Sequence, residues 1–92
     1  MTDLEKNFNL SIEKIDSLKK KNIILTNDQL LTLYKYYKQA KIGDNKTSQP
    51  SIFNVTARAK WNAWAEVKGL PKEEVMQKYI DFVEELCINY VQ

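Results

Sequence analysis

Leu30-Leu31-Thr32-Leu33-Tyr34-Lys35-Tyr36-Tyr37-Lys38-Gln39-Ala40-Lys41 places three tyrosines and three lysines within about three turns of a helix. Tyr34, Tyr37, Lys38 and Lys41 then recur at i, i+3, i+4 and i+7, so they share one face. A face that pairs aromatic rings with ammonium groups can stack a base, contact an acyl chain and neutralise phosphate together. The same spacing also describes half-buried tyrosines in a core with a solvated rim of lysines. Taken alone, the segment leaves both readings open, but either one requires a helix here.

The flanks agree with that helix. Upstream, Thr26 or Asn27 can accept the orphan N–H groups of a first turn, and Asp28 adds favourable negative charge there. Downstream, the helix should run to about Ile42, and Gly43 follows where a left-handed cap is cheapest. Further back, Leu4, Phe8, Ile12, Ile15 and Leu18 recur at three and four, which predicts a first helix. It frays into Lys19-Lys20-Lys21-Asn22, and Ile23-Ile24-Leu25 forms a short apolar connector.

Beyond Gly43, the run from Asp44 to Ser51 is polar and contains Pro50, so it reads as a loop within one domain. Trp61, Trp64 and Val67 at helical spacing predict a third helix over Val55 to Lys68, ended by Gly69. Pro71 suits the first position of a fourth helix, with Glu73 and Glu74 in its first turn. Met76, Tyr79, Ile80, Val83, Leu86 or Cys87 and Tyr90 continue one stripe to its end. The sum is an all-α chain, a bundle of four helices whose two longer connections need not give simple up-down order.

Ninety-two residues enclose one core, so residues 1–92 are expected to form a single domain. Only two glycines and two prolines are present, too few for a many-stranded sandwich or barrel. A net charge of +2 does not mark a general nucleic-acid binder. The N-terminus lacks the apolar core of a signal peptide, and no apolar run approaches the roughly 20 residues of a membrane span, so a cytoplasmic location is expected.

The chain has no histidine, which removes Ser-His-Asp and Cys-His nucleophiles and leaves no cysteine–histidine cluster for a metal. There is no glycine-rich phosphate loop, and the pairs Glu73-Glu74 and Glu84-Glu85 point apart on a helix as solvated surface. No catalytic residue, metal or cofactor is expected. The lone Cys87 reads as a small core hydrophobe. A second candidate segment is Arg58-Ala59-Lys60-Trp61-Asn62-Ala63-Trp64, where cations flank two large rings. Trp64 reads as core, whereas Lys60 is free to reach a phosphate.

Read together, Leu33 to Asp44, Lys60-Trp61-Asn62-Ala63-Trp64 and Tyr79-Ile80-Asp81-Phe82-Val83-Glu84-Glu85-Leu86 resemble the acyl-CoA-binding protein family. The order and spacing of Tyr-x-x-Tyr-Lys-Gln-Ala, Gly-Asp, the loop proline, Lys-Trp-x-Ala-Trp and Tyr-Ile-x-x-Val-Glu-Glu-Leu match across nearly the whole chain. The resemblance implies an up-down-down-up four-helix bundle that binds medium- to long-chain fatty acyl-CoA one to one without catalysis. It implies an intracellular carrier, monomeric, that serves acyl-CoA-using enzymes and makes transient membrane contact, with no nucleic-acid partner. Carried over by position, the ligand contacts fall on Tyr34, Tyr37, Lys38, Lys60 and Tyr79. Lys38 and Lys60, with tyrosine hydroxyls, would hold the 3′-phosphate, and aromatic rings would contact the adenine.

Three departures bear on affinity and chain-length preference. Asp16 and Thr56 stand where many members carry lysine, and the first connector is about three residues longer, at Ile23-Ile24-Leu25. Leu30, Leu31 and that connector are the expected neighbours of the acyl tail. The competing readings are a helical polyanion binder using Lys35, Lys38, Lys41 and Lys60, a protein-interaction module and an enzyme of an unfamiliar kind. Salt-dependent binding indifferent to a tail, no nucleotide binding, and thioester turnover would mark them in turn.

Overall fold

The computed structural model describes residues 2–91; Met1 and Gln92, which the expected domain includes, lie outside the described residues. Four helices follow in order: α1 (Asp3–Lys20), α2 (Asn27–Lys41), α3 (Val55–Glu66) and α4 (Lys72–Val91). No strand occurs among the described residues.

Local chemistry sets the boundaries. Thr2 and Thr26 cap α1 and α2, and at α2 Thr26 Oγ accepts from Gln29 N–H while Gln29 Oε1 accepts from Thr26 N–H, a reciprocal capping box. Beyond Lys20, Asn22 turns the chain at φ 62, a left-handed conformation that asparagine tolerates better than most residues. Gly43 and Gly69 end α2 and α3 regions at φ 99 and 86, where a Cβ would be strained. Two predicted edges move. Helix α3 stops at Glu66 rather than Lys68, because Val67 and Lys68 donate back to Trp64 and Ala65 in a tighter turn before Gly69. Helix α4 starts at Lys72, with Pro71 just before it accepting from Val75 N–H.

Contacts between helices fix their directions. Gln29 Nε2 reaches Tyr90 Oη at 3.5 Å, and Gln39 Nε2 reaches the Leu70 carbonyl at 3.2 Å, so α2 and α4 are antiparallel. Phe8 packs against Tyr37 near the other end of α2 and against Tyr79 of α4, which makes α1 antiparallel to α2 and parallel to α4. Lys60 meets Tyr34 and Glu66 meets Lys35, so α3 runs parallel to α2. The order is up-down-down-up.

Phe8, Ile15 and Leu18 of α1, Leu33 and Ala40 of α2, and Val75, Met76, Tyr79, Ile80, Val83 and Leu86 of α4 make one buried core, with Cys87 packed at its edge. Along their backbones α1 and α2 both rest on α4 rather than on each other, and α3 packs on α2 alone. The result is a flattened body of 39 × 31 × 16 Å. A space remains between α1 and α2, bridged at one end by the stacked Phe8 and Tyr37 rings, 6.4 Å apart.

Parallel α2 and α3 require a connection that runs the length of the bundle, and both tryptophans fasten it. Trp64 Nε1 donates to the Gly43 carbonyl at 2.8 Å and Trp61 Nε1 to the Thr47 carbonyl at 3.0 Å. Asp44 accepts from Gln39 Nε2 and from Gly69 N–H, both at 2.8 Å, tying α2 to the turn after α3. These bonds, the Gly69 one foremost, hold the Asp44 carboxyl below its ordinary pKa. Trp64 is buried as expected; Trp61 is half-buried and its role is this tether.

Candidate functional site

The space between α1 and α2 is a groove of about 320 Å³, within the range of small-molecule sites. Helix α1 gives Ile15 and Lys19 as one wall, and α2 gives Leu30, Leu33, Tyr34 and Tyr37 as the other. Tyr79 of α4 lies at its base, and Lys60 of α3 reaches in beside Tyr34. Four of the five expected residues therefore line one cavity, though they come from three helices.

The fifth, Lys38, stands next to it. Its Nζ lies 5.7 Å from the Tyr34 ring centroid and 5.4 Å from that of Trp64. Lys60 Nζ is 5.5 Å from the same Tyr34 ring. Tyr34 thus carries two ammonium groups from different helices. Among the described residues the one ion pair is Lys35–Glu66 at 3.5 Å, which leaves Lys38 and Lys60 with no carboxylate partner. A cation over a ring at a partly exposed site gains only about 0.5–1 kcal/mol, so much of this positive charge stays available to an anion. Lys41, on the same helix face, lies over Phe8 and Tyr37 at 5.6 and 6.0 Å.

Tyr79 is only 4% exposed, with its ring edge-on to Phe8 at 5.0 Å. Burial, followed by the charge of Asp16 and the proximity of Tyr37, pushes its hydroxyl up to about 12. It therefore remains a neutral O–H, able to donate, at any ordinary pH. Asp16 acts on this site as a negative charge near Tyr79, where the family resemblance expects a lysine. Thr56 is exposed at the start of α3.

Sequence reasoning missed Ile15, Lys19 and Leu33 as groove residues. The pair Ile15 and Lys19, one turn apart on the face of buried Leu18's helix, was the available signal. Of the expected tail neighbours, Leu30 lines the groove, whereas Leu31 lies in a separate cleft between α2 and α3 with Lys35 and Ala59. In the connector Leu25 is buried, Ile23 half-buried and Ile24 exposed.

The arrangement can take an anion on Lys38 and Lys60, stack a planar group on tyrosine and cover an apolar chain with Ile15, Leu30 and Leu33. Its titratable lining is lysine and tyrosine. No acidic or sulfur cluster that could hold a metal occurs among the described residues, and no described helix is long and apolar enough to cross a membrane.

Comparison with known proteins bears on the same residues. The family model described as "Acyl CoA binding protein" matches residues 5–83. An acyl-CoA-binding protein homolog of Drosophila melanogaster is 42% identical over 83 residues, covering 90% of this chain and 93% of that one. The acyl-CoA-binding protein of Saccharomyces cerevisiae is 46% identical over 63 residues, covering 68% and 72%. The crystal structure of Oryza sativa acyl-CoA-binding protein 2 superposes with a TM-score of 0.84 at 40% identity, over 94% of this chain and 92% of that one.

Proposed function

Because this chain belongs to the acyl-CoA-binding protein family, we propose that it binds medium- to long-chain fatty acyl-CoA one to one, as a carrier and not as an enzyme. The observation that carries this reading is the Tyr34 ring flanked by Lys38 and Lys60 beside an apolar groove. Phosphate and fatty chain are the two halves of the ligand, and these are the two surfaces it needs.

In this reading Lys38 and Lys60 hold the 3′-phosphate, with a hydroxyl from the tyrosine set donating to it, and Tyr34 and Tyr37 offer the adenine a stacking face. Tyr79, neutral and buried, supports the groove floor and supplies an O–H. The acyl chain runs along Ile15, Leu30 and Leu33, where each buried methylene contributes about 0.8 kcal/mol. The whole chain, residues 1–92, acts as one binding domain, a cytoplasmic monomer with no resident cofactor. It hands its ligand to acyl-CoA-using enzymes and meets membranes transiently.

Parallel calorimetric titrations with palmitoyl-CoA, free coenzyme A and free palmitate, below the micelle concentrations, test the reading. Tight one-to-one binding of the thioester, with both fragments far weaker, is the expected result. A fragment that binds as tightly as the thioester would reduce the site to a polyanion or fatty-acid site.

A further inference from the structure

One charged residue on the groove lining is used by neither the phosphate nor the adenine. Lys19 stands on the α1 wall one turn beyond Ile15, in the last turn of that helix. Antiparallel packing fixes its level. Phe8 stacks on Tyr37 where the groove is bridged, and Lys19 lies about three turns further along α1, whereas Tyr34 lies only about one turn from Tyr37 along α2. Lys19 is therefore about 12 Å along the bundle from the level of Tyr34 and Lys60, at about 1.5 Å per residue. Buried Ile15 and Leu33 line the stretch between, and Leu30, 43% exposed, opens it to solvent beside Lys19. A fatty chain that starts near Tyr34 and runs along these three residues ends at the Lys19 ammonium.

That ammonium is not spent inside the protein. Among the described residues the one ion pair is Lys35–Glu66, so Lys19 has no carboxylate partner. Asp28, the acid in the first turn of α2, lines the separate cleft between α2 and α3. No carboxylate lines the groove, and Asp16, about one turn back along α1, is exposed and acts on Tyr79. Lys20 and Lys21 follow directly and add to the positive field at this end. A lysine so placed lays its methylene stem along apolar neighbours and keeps its charge at the rim. A tail that ends in a methyl group gains nothing from the charge, whereas one that ends in a carboxylate meets its opposite there with its methylenes still covered.

We propose that the groove also takes long-chain acyl-CoA whose far end is a carboxylate, the thioester of a dicarboxylic acid, with Ile15, Leu30 and Leu33 covering the methylenes and Lys19 Nζ meeting the terminal carboxylate. The inference rests on the carrier reading above and adds a ligand class to it. Chain length matters more for such a ligand than for a plain one. An acid tail that stops short of Lys19 leaves its charge in the apolar stretch or beside Asp16, and an unpaired charge there is costly.

Calorimetric titration of the full chain with palmitoyl-CoA and with hexadecanedioyl-CoA, below their micelle concentrations, tests it. Three proteins are compared: the wild type, Lys19→Met, which keeps an apolar stem, and Lys20→Met, a control whose side chain is exposed and points away from the groove as the next helical position. The wild type should bind the diacid thioester within about tenfold of palmitoyl-CoA. Lys19→Met should weaken the diacid about fivefold more than it weakens palmitoyl-CoA, the upper worth of an exposed ion pair, and Lys20→Met should keep the wild-type ratio. Exclusion of the diacid by a wild type that binds palmitoyl-CoA, an unchanged ratio in Lys19→Met, or an equal change in Lys20→Met would each overturn the inference alone. Failure of the wild type to bind palmitoyl-CoA would overturn the carrier reading and the inference with it.

Discussion

Replacing Lys60 with alanine, and separately Lys38, removes one of the two ammonium groups held on the Tyr34 ring at 5.5 and 5.7 Å. A unit charge about 4 Å from a phosphate oxygen gains roughly 4 kcal/mol at the effective dielectric of a near-surface site. Lys60 is exposed and Lys38 half-buried, so screening and the fixing of a flexible side chain remove much of that gain. About 1.5–3 kcal/mol remains, the usual worth of a hydrogen bond to a charged group, or roughly ten- to hundredfold in affinity for each variant. Calorimetry should be run on the parent and both variants with palmitoyl-CoA and with its 3′-dephospho analogue, after circular dichroism shows unchanged helix content. The parent should lose about the combined factor of both lysines when the phosphate is removed from the ligand, whereas each variant should lose only the factor of the lysine it retains, because one of the two partners is already gone. Equal losses on both ligands would refute the phosphate assignment, and variants that bind like the parent would refute the site.

Three further outcomes follow from particular contacts. Phe8→Ala removes a ring that is 1% exposed and packed against Tyr37 and Tyr79. It should cost about 3–5 kcal/mol in urea unfolding, and a loss under 1 kcal/mol would mean that the groove floor does not depend on this ring. Because the Tyr79 hydroxyl is pushed up to about 12 while the unfolded side chain titrates near 10, stability is fully present below pH 10 and falls between there and about pH 12. Thermal melts of Tyr79→Phe should show a shallower decline over that window, and an identical decline would assign the effect elsewhere. Asp44 is held below its ordinary pKa of 3.8 by the Gly69 N–H and Gln39, so its contribution is present above that value and is lost as pH falls through the folded pKa. Asp44→Ala should flatten the acid side of the stability curve; an unchanged acid limb would contradict the tether.

Much of the fold was readable because its helices carry their instructions locally. The spacing of Phe8, Ile15 and Leu18, the Thr26 cap with Gln29, and the glycines after α2 and α3 act over one or two turns. The site was less readable for a physical reason. Tyr34 and Lys60 are joined only because α2 and α3 run parallel, and that depends on a long connection pinned by Trp61 and Trp64 to carbonyls far away in sequence. The family resemblance supplied that pairing where periodicity left it open. Lys19 escaped notice because, in a run of three lysines, nothing local distinguishes the one that turns toward the groove. Leu31 shows the converse: one residue from Leu30, it faces another cleft because adjacent helical positions diverge.

Intermolecular nuclear Overhauser contacts between carbon-13-labelled protein and unlabelled palmitoyl-CoA test the central claim most directly. The account predicts contacts from adenine protons to Tyr34 or Tyr37 and from chain methylenes to Ile15, Leu30 and Leu33. Methylene contacts confined to Leu31, Ala59 and Ala63 would place the tail in the cleft between α2 and α3 and would contradict it.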